Sequence, residues 1–430
     1  MVRAFADITI PYSIISIGEE AFAGHTGKVE VNSNINYDNL LENSQFSKII
    51  IGASVSNIHT GAFLYYNGEI EMNSKAIENE PCFRNSQITK VTIGNNIAKI
   101  SANAFENCDC LTSVVIPPSL SAIGCAAFYD CSNLKSVYIS DLVAWCKIDF
   151  MQEEFEMWGS NPLMYGAELY LNNQKVIDLV IPSDITEIKD VAFCKCSSLA
   201  SVTIPDSVTR IGIDSFCSCH NLIKLTIPDS VEQIGEHAFA SCDKLNTISF
   251  SGETTNIDIA SDAFVGCSSL PIIDNIRYAG AYLVKVVNTD LHSYTIQEGT
   301  RIIGAHAFSY CDKMESIVIP NSVTSIGDSA FFECTSLKSI TIPDSVTKIG
   351  CEAFCQCSAM DRLYCHAITP PQAKYEGEGW YGDIWHTGYH GDLDTFSLRT
   401  LIYVPKEYVE SYKNAYGWSS YENNIIGYDF

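Results

Sequence analysis

The sequence predicts a repeat solenoid, mainly β with short turns, and three observations carry that expectation. An Ile-Pro step, or its equivalent, returns every 23 residues: at Ile93, Ile116 and Ile139, then Ile181, Ile204, Ile227 and Phe250, then Ile296, Ile319 and Ile342. A small residue followed by Phe returns at Phe22, Phe63, Phe105, Phe128, Phe193, Phe216, Phe239, Phe264, Phe308, Phe331 and Phe354. A Cys then follows three residues later, at Cys108, Cys131, Cys196, Cys219, Cys242, Cys267, Cys311, Cys334 and Cys357. A fixed period of this kind means that each repeat is one unit unable to bury its own apolar face, so that only a stack is stable.

The period lies within the 20–29 residues of leucine-rich coils, so a right-handed coil of about 23 residues is expected. One coil shows the logic. Val202 and Ile204 point to one side of a short strand and Thr203 to the other. Pro205 lacks an N–H and ends the strand. Val208 and Ile211 turn inward again, and Gly212 suits a backbone corner. A small residue then permits close packing, and Phe216 fills the coil. The Phe rings should stack into one spine, each worth roughly 1.5–3 kcal/mol of burial.

Interruptions mark coils that differ. The step from Ile139 to Ile181 spans 42 residues and holds Leu169-Tyr-Leu-Asn172-Asn173, which reads as a hairpin. Leu64-Tyr-Tyr-Asn67-Gly68-Glu-Ile carries the Asn-Gly pair favoured in two-residue hairpins. The expected organisation is a solenoid over residues 1–365, with degenerate repeats at 1–92 and inserts at 140–180 and 274–295. A loop and C-terminal cap of the same solenoid follow over 366–430. Within the cap, Leu401-Ile-Tyr-Val404 reads as a strand, and Pro405 opens a helix with Tyr408, Tyr412 and Ala415 on one face.

Composition sets bounds. Hydrophobic residues make up 47% of the 430, enough for a core, and the net charge is −25. So acidic a chain repels nucleic acid and anionic membrane. No apolar stretch reaches the ~18 residues of a membrane span, and the N-terminus lacks a signal-like apolar run. The chain opens mid-repeat, which suggests a fragment whose export signal is missing.

The unit Ile-Pro-Asp-Ser-Val-Thr-Lys-Ile-Gly-Cys-Glu-Ala-Phe, Ile342 to Phe354, resembles BspA-like leucine-rich repeats. The segment from Val137 through Trp145 to Cys146, and the ending Tyr403-Val-Pro-Lys with Tyr412 and Trp418, resemble that family's recurring insert and tail. The resemblance spans residues 8–428. It implies a bacterial cell-surface or secreted protein associated with adhesion, with a host or microbial surface or matrix protein, or a glycan, as partner. The first two repeats depart from the pattern, and neither end carries an anchoring signal.

Local motifs add no chemistry. A Cys that recurs once per coil reads as a small buried core side chain, so reduced thiols are expected. Parallel stacking points equivalent Cys side chains the same way, which disfavours disulfide geometry. Cys194, Cys196, Cys217, Cys219 and His220 lie on adjacent coils, but their spacing is not that of zinc ligands. Gly377-Glu-Gly379-Trp-Tyr-Gly382 matches a dinucleotide string, yet no strand precedes it and no helix follows. Gly24-His-Thr-Gly27-Lys28 lacks the rest of a phosphate-binding loop. His386 and His390 lack the Glu of a zincin, and Asp383, Asp392 and Asp394 beside them read as a polar or weakly calcium-binding loop. No metal, no cofactor and no catalytic residue is expected, because no nucleophile elbow or distinct carboxylate pair stands out.

The expected binding face is the outward strand row: Val115, Tyr138, Thr203, Thr226, Ser249, Val318, Thr341 and Tyr364. These residues are uncharged and mostly small, β-branched or aromatic, which suits a protein contact. Trp380, Tyr381, Trp385 and Tyr389 offer flat faces to a sugar, or pack the cap onto the last coil. A non-catalytic binding protein is therefore expected; a glycan binder and a passive spacer are the alternatives.

Overall fold

The computed structural model describes residues 7–14, 22–36, 44–151, 159–251, 258–260, 262–374 and 400–430. It forms a β-solenoid with little helix, divided into two compact units, Met1–Leu245 and Asn246–Phe430.

In the first unit, strands Ile8–Ile10, Thr26–Val31, Gln45–Ile51, Glu69–Met72, Lys90–Ile93, Ser113–Ile116, Ser136–Ile139 and Glu168–Leu171 pair in parallel. Gln174–Lys175 then turns back antiparallel through Asn172 and Asn173, both left-handed, as the hairpin reading anticipated. A further parallel run comprises Asp178–Val180, Ser201–Thr203 and Lys224–Ile227. The Asn67-Gly68 hairpin does not form. Glu69–Met72 pairs in parallel on both sides, so these residues are an ordinary coil strand. Gly68 is needed instead for space: a Cβ there would lie 2.2 Å from the Tyr66 hydroxyl.

The segment that carries Ile211 forms a second parallel ladder of two-residue strands, Glu187–Ile188, Arg210–Ile211 and Gln233–Ile234. Gly212 is not a left-handed corner. A Cβ there would meet the Asp190 backbone nitrogen at 2.6 Å, so the glycine lets adjacent coils approach.

A third ladder runs through the turn that carries each Phe. In the first unit the N–H groups of Val191, Phe193 and Lys195 donate to the carbonyls of Ile213, Ser215 and Cys217 at 2.8, 2.8 and 2.7 Å. Those of Asp214, Phe216 and Ser218 donate in turn to Glu236, Ala238 and Ala240. The residues two before and two after the Phe have positive φ: Val191 53°, Lys195 55°, Asp214 52° and Ser218 56°. A left-handed L-residue costs about 1–2 kcal/mol. Alternating hands turn every second N–H group toward the same neighbouring coil, and those bonds offset the cost.

In the second unit Ser293–Thr295 pairs with Ser316–Val318, and Ser339–Ile342, Arg362–Cys365, Leu401–Pro405 and Ile425–Tyr428 form a parallel sheet. The insert is an antiparallel meander of Ile272–Ile273, Ile276–Ala279 and Tyr282–Val286. After Pro405 a 3-10 turn and the helix Val409–Lys413 bury Tyr412 and leave Tyr408 and Ala415 half-buried. The Tyr412 hydroxyl donates to the Ala367 carbonyl at 2.7 Å, and Trp418 Nε1 donates to the Pro371 carbonyl at 2.8 Å. The final strand, Ile425–Tyr428, was not anticipated.

All eleven Phe rings are buried. Within the units, ring contacts link Phe63, a further buried ring at Phe83, Phe105 and Phe128; Phe193, Phe216 and Phe239; and Phe308, Phe331 and Phe354. Along the chain between Phe128 and Phe193, Trp145 and Phe150 pack together at 5.4 Å. Tyr282 and Tyr294 take ring partners beside Phe264 and Phe308 in the insert of the second unit. The recurring thiols are buried too.

Candidate binding surface

The sheet strands alternate, so the residue between two buried ones faces outward. In the first unit strand pairing places Thr9, Glu30, Ile50, Glu71, Thr92, Val115, Tyr138 and Tyr170 in one register row. The row changes chemistry along its length. Its early part is charged: Lys48 Nζ lies 2.6 Å from Glu71, and this hydrogen bond, against some desolvation, holds the Glu71 carboxyl below its usual range. From Thr92 to Tyr170 it is uncharged, and it ends in stacked rings, Tyr138 over Tyr170, with centroids 4.9 Å apart.

The Tyr170 hydroxyl donates to Glu168 Oε2 at 2.7 Å, which pushes the tyrosine's ionisation up. Glu168 is held below its usual range by Lys175 first and Tyr170 second. The hairpin thus fixes the outer ring of the pair. Thr203 and Thr226 are in register with each other and with the exposed Val180 in the separate parallel run.

In the second unit Thr341, Tyr364, Tyr403 and Ile426 share a row. Tyr364 and Tyr403 stack at 4.9 Å, matching the spacing of the first pair. Tyr428 meets both edge-on at 5.8 and 5.5 Å. Phe430 lies 5.1 Å from Tyr428 and 4.0 Å from the His366 ring. Ser249 and Val318 are exposed. Trp380, Tyr381, Trp385 and Tyr389 lie outside the described residues, as do the Gly377–Gly382 string, His386, His390, Asp383, Asp392 and Asp394.

Tyr170, Tyr403, Tyr428, Phe430 and His366 were missed by the spacing rule. The ring separation in both pairs equals the ~4.8 Å between strands. The rings therefore stand off the sheet one above another, each covering its neighbour's face and presenting edges and hydroxyls outward. Such a pair resembles the rigid, amphipathic anchors of protein interfaces. A sugar ring needs an open aromatic face, and the in-row faces of Tyr138 are taken up by its register neighbours Val115 and Tyr170.

The cysteine cluster considered for zinc is divided. Cys196 and Cys219 belong to the recurring core position, whereas Cys194 and Cys217 follow the Phe on the turn face, and His220 Nδ1 lies 2.7 Å from Asp243. Among the described residues no group of three or more His, Cys, Asp or Glu is placed to hold a metal.

A family model for the BspA type leucine rich repeat region matches residues 2–79, 75–149, 166–285 and 286–369. A solved leucine rich cell surface protein from Faecalibacterium prausnitzii is 25% identical over 74% of this chain and 82% of that one, with a TM-score of 0.34. A leucine-rich repeat protein from Bacteroides ovatus is 20% identical over 83% of this chain and 80% of its own, with a TM-score of 0.36. One from Eubacterium ventriosum is 19% identical over 77% and 82%, with a TM-score of 0.37. No curated protein sequence matches the chain significantly.

Proposed function

Because the chain belongs to the BspA-type leucine-rich-repeat family, we propose that it is a non-catalytic surface or secreted protein that binds a protein partner through its outward strand rows. The observation that carries this reading is the pair of tyrosine stacks, Tyr138 with Tyr170 and Tyr364 with Tyr403, on otherwise uncharged parts of those rows. Repeat solenoids offer long sheet faces for macromolecules. Tyr supplies large contact area at low entropic cost and is enriched where interfaces gain most of their energy. Val115, Thr92, Thr203, Thr226 and Thr341 supply the small, β-branched surroundings.

Adhesion to a host or microbial surface or matrix protein is the biological form we assign to that binding. The Trp380–Tyr389 segment remains a proposed second contact. The net charge of −25 favours partners with basic rims. An array of matrix and surface proteins together with glycans, probed with the purified chain, tests the reading. Protein ligands that are lost with Tyr138→Ala or Tyr364→Ala support it. Glycan ligands alone, indifferent to both substitutions, refute it.

A further inference from the structure

We propose that Cys217 and Cys194 form a redox site on the turn face of the first unit, where a hydroperoxide oxidises the pair to a disulfide between adjacent coils. The two residues hold the same place in neighbouring coils, each directly after a spine ring, Phe193 or Phe216. The Lys195 N–H donates to the Cys217 carbonyl at 2.7 Å, so the turn ladder locks these coils in register at this point. In-register positions about 5 Å apart fall within the ~4.4–6.8 Å between Cα atoms that a disulfide bridges, and the parallel Cβ directions that disfavour such a bond must tilt toward each other for it to close.

The two thiols are close enough for the ionisation of each to depend on the other. Cys217 is half-buried and reachable from solvent; Cys194, behind it, is 3% exposed. The Ser218 hydroxyl lies 3.6 Å from the Cys217 sulfur. Asp214 and the Lys195 charge also act on its ionisation, both lowering it. Its interaction with Cys194, against partial burial, lowers the Cys217 thiol below its ordinary range, while Cys194 is pushed up. Cys217, the sulfur an oxidant can reach, is therefore the nucleophile, with Cys194 behind it.

The chemistry balances. The Cys217 thiolate attacks one peroxide oxygen, an S–O bond forms and the O–O bond breaks. The departing hydroxide or alkoxide takes a proton from water, leaving Cys217 as a sulfenic acid. The Cys194 sulfur then attacks that of Cys217; the S–S bond forms and the S–O bond breaks. The released hydroxide takes up the Cys194 proton as water. Two electrons pass from two thiols to the peroxide.

Two further pairs supply an internal control. Cys108 with Cys131 and Cys334 with Cys357 also hold equivalent places on neighbouring coils, but all four are buried core residues whose thiols donate to backbone carbonyls, out of reach of an oxidant. Cys110 is exposed and supplies the reference for simple accessibility.

The test treats the reduced full chain with hydrogen peroxide and maps thiols by mass spectrometry. The expected product is a peptide linked through Cys194 and Cys217, with the two core pairs still reduced. In Cys194→Ser, dimedone should trap Cys217 at least ~10-fold faster than Cys110. Alkylation of Cys217 by iodoacetamide should persist below the ~8.5 midpoint of a free thiol and move toward it in Cys194→Ala. Oxidation of Cys217 no faster than that of Cys110 overturns the proposal. So does a sulfenic acid that persists in the parent without a linked peptide. The parent-chain mapping decides the matter even if a Cys194 variant misfolds.

Discussion

The Cys219 thiol donates to the backbone carbonyl of Phe193, one coil back, across 3.2 Å. The relation repeats at Cys108 to Phe83, Cys131 to Phe105, Cys242 to Phe216, Cys334 to Phe308 and Cys357 to Phe331, at 3.0–3.3 Å. The recurring Cys is thus more than a small apolar filler. Its sulfur fills the core and adds an inter-coil bond to a carbonyl that already accepts an in-coil N–H, as Phe193 does from Cys196. Cys219→Ala should therefore cost about 1–3 kcal/mol, combining a small cavity with a lost weak bond. Urea unfolding measures it; a change within error would reduce the thiol to a bystander.

Phe216 is stacked on both sides, 5.3 Å from Phe193 and 5.3 Å from Phe239. Phe216→Ala should destabilise by roughly 3–5 kcal/mol. Hydrogen exchange should show the loss centred on the coils around it, because each coil contacts only its neighbours. Uniform loosening of both units would contradict nearest-neighbour stacking.

Gly212 and Glu333 make opposite predictions. Gly212→Ala places a Cβ 2.6 Å from the Asp190 nitrogen and must push two coils apart, so it should lower the melting temperature. Glu333 has φ 55°, a conformation that Asn tolerates better. Glu333→Asn should raise stability by about 0.5–1 kcal/mol. Calorimetry on both variants checks the signs.

A thiol count follows from burial. Cys110 is exposed, and Cys217, Cys351 and Cys355 are half-buried, while the other thiols are buried. A chromogenic disulfide reagent should react quickly with those few in the native chain and with all 18 cysteines after denaturation. Most of the 18 reacting quickly before denaturation would refute the buried spine.

The 23-residue period made the strands, the Phe runs and the Cys positions legible, because those residues answer to one repeated packing requirement. Phe83 escaped because Cys82 stands where the small Ala or Ser is usual. Tyr170 and Tyr403 escaped because inserts place them 32 and 39 residues after Tyr138 and Tyr364, and only strand pairing restores the register. The Asn67-Gly68 signal misled because it is local, whereas Glu69–Met72 is held by neighbours on both sides. The left-handed residues flanking each Phe carry no common type: Val191, Lys195, Asp214 and Ser218 share a conformation imposed by the ladder.

The tyrosine stacks are the centre of the account, and affinity for a protein ligand found on the array tests them most directly. The double variants Tyr138→Ala with Tyr170→Ala, and Tyr364→Ala with Tyr403→Ala, should fold as the parent does by circular dichroism. At least one should weaken binding by ~30-fold or more, the loss of about 2 kcal/mol expected of an interface anchor. Parent-like affinity in both, with binding lost instead in a Tyr129→Ala and Tyr310→Ala variant on the turn face, would contradict the account.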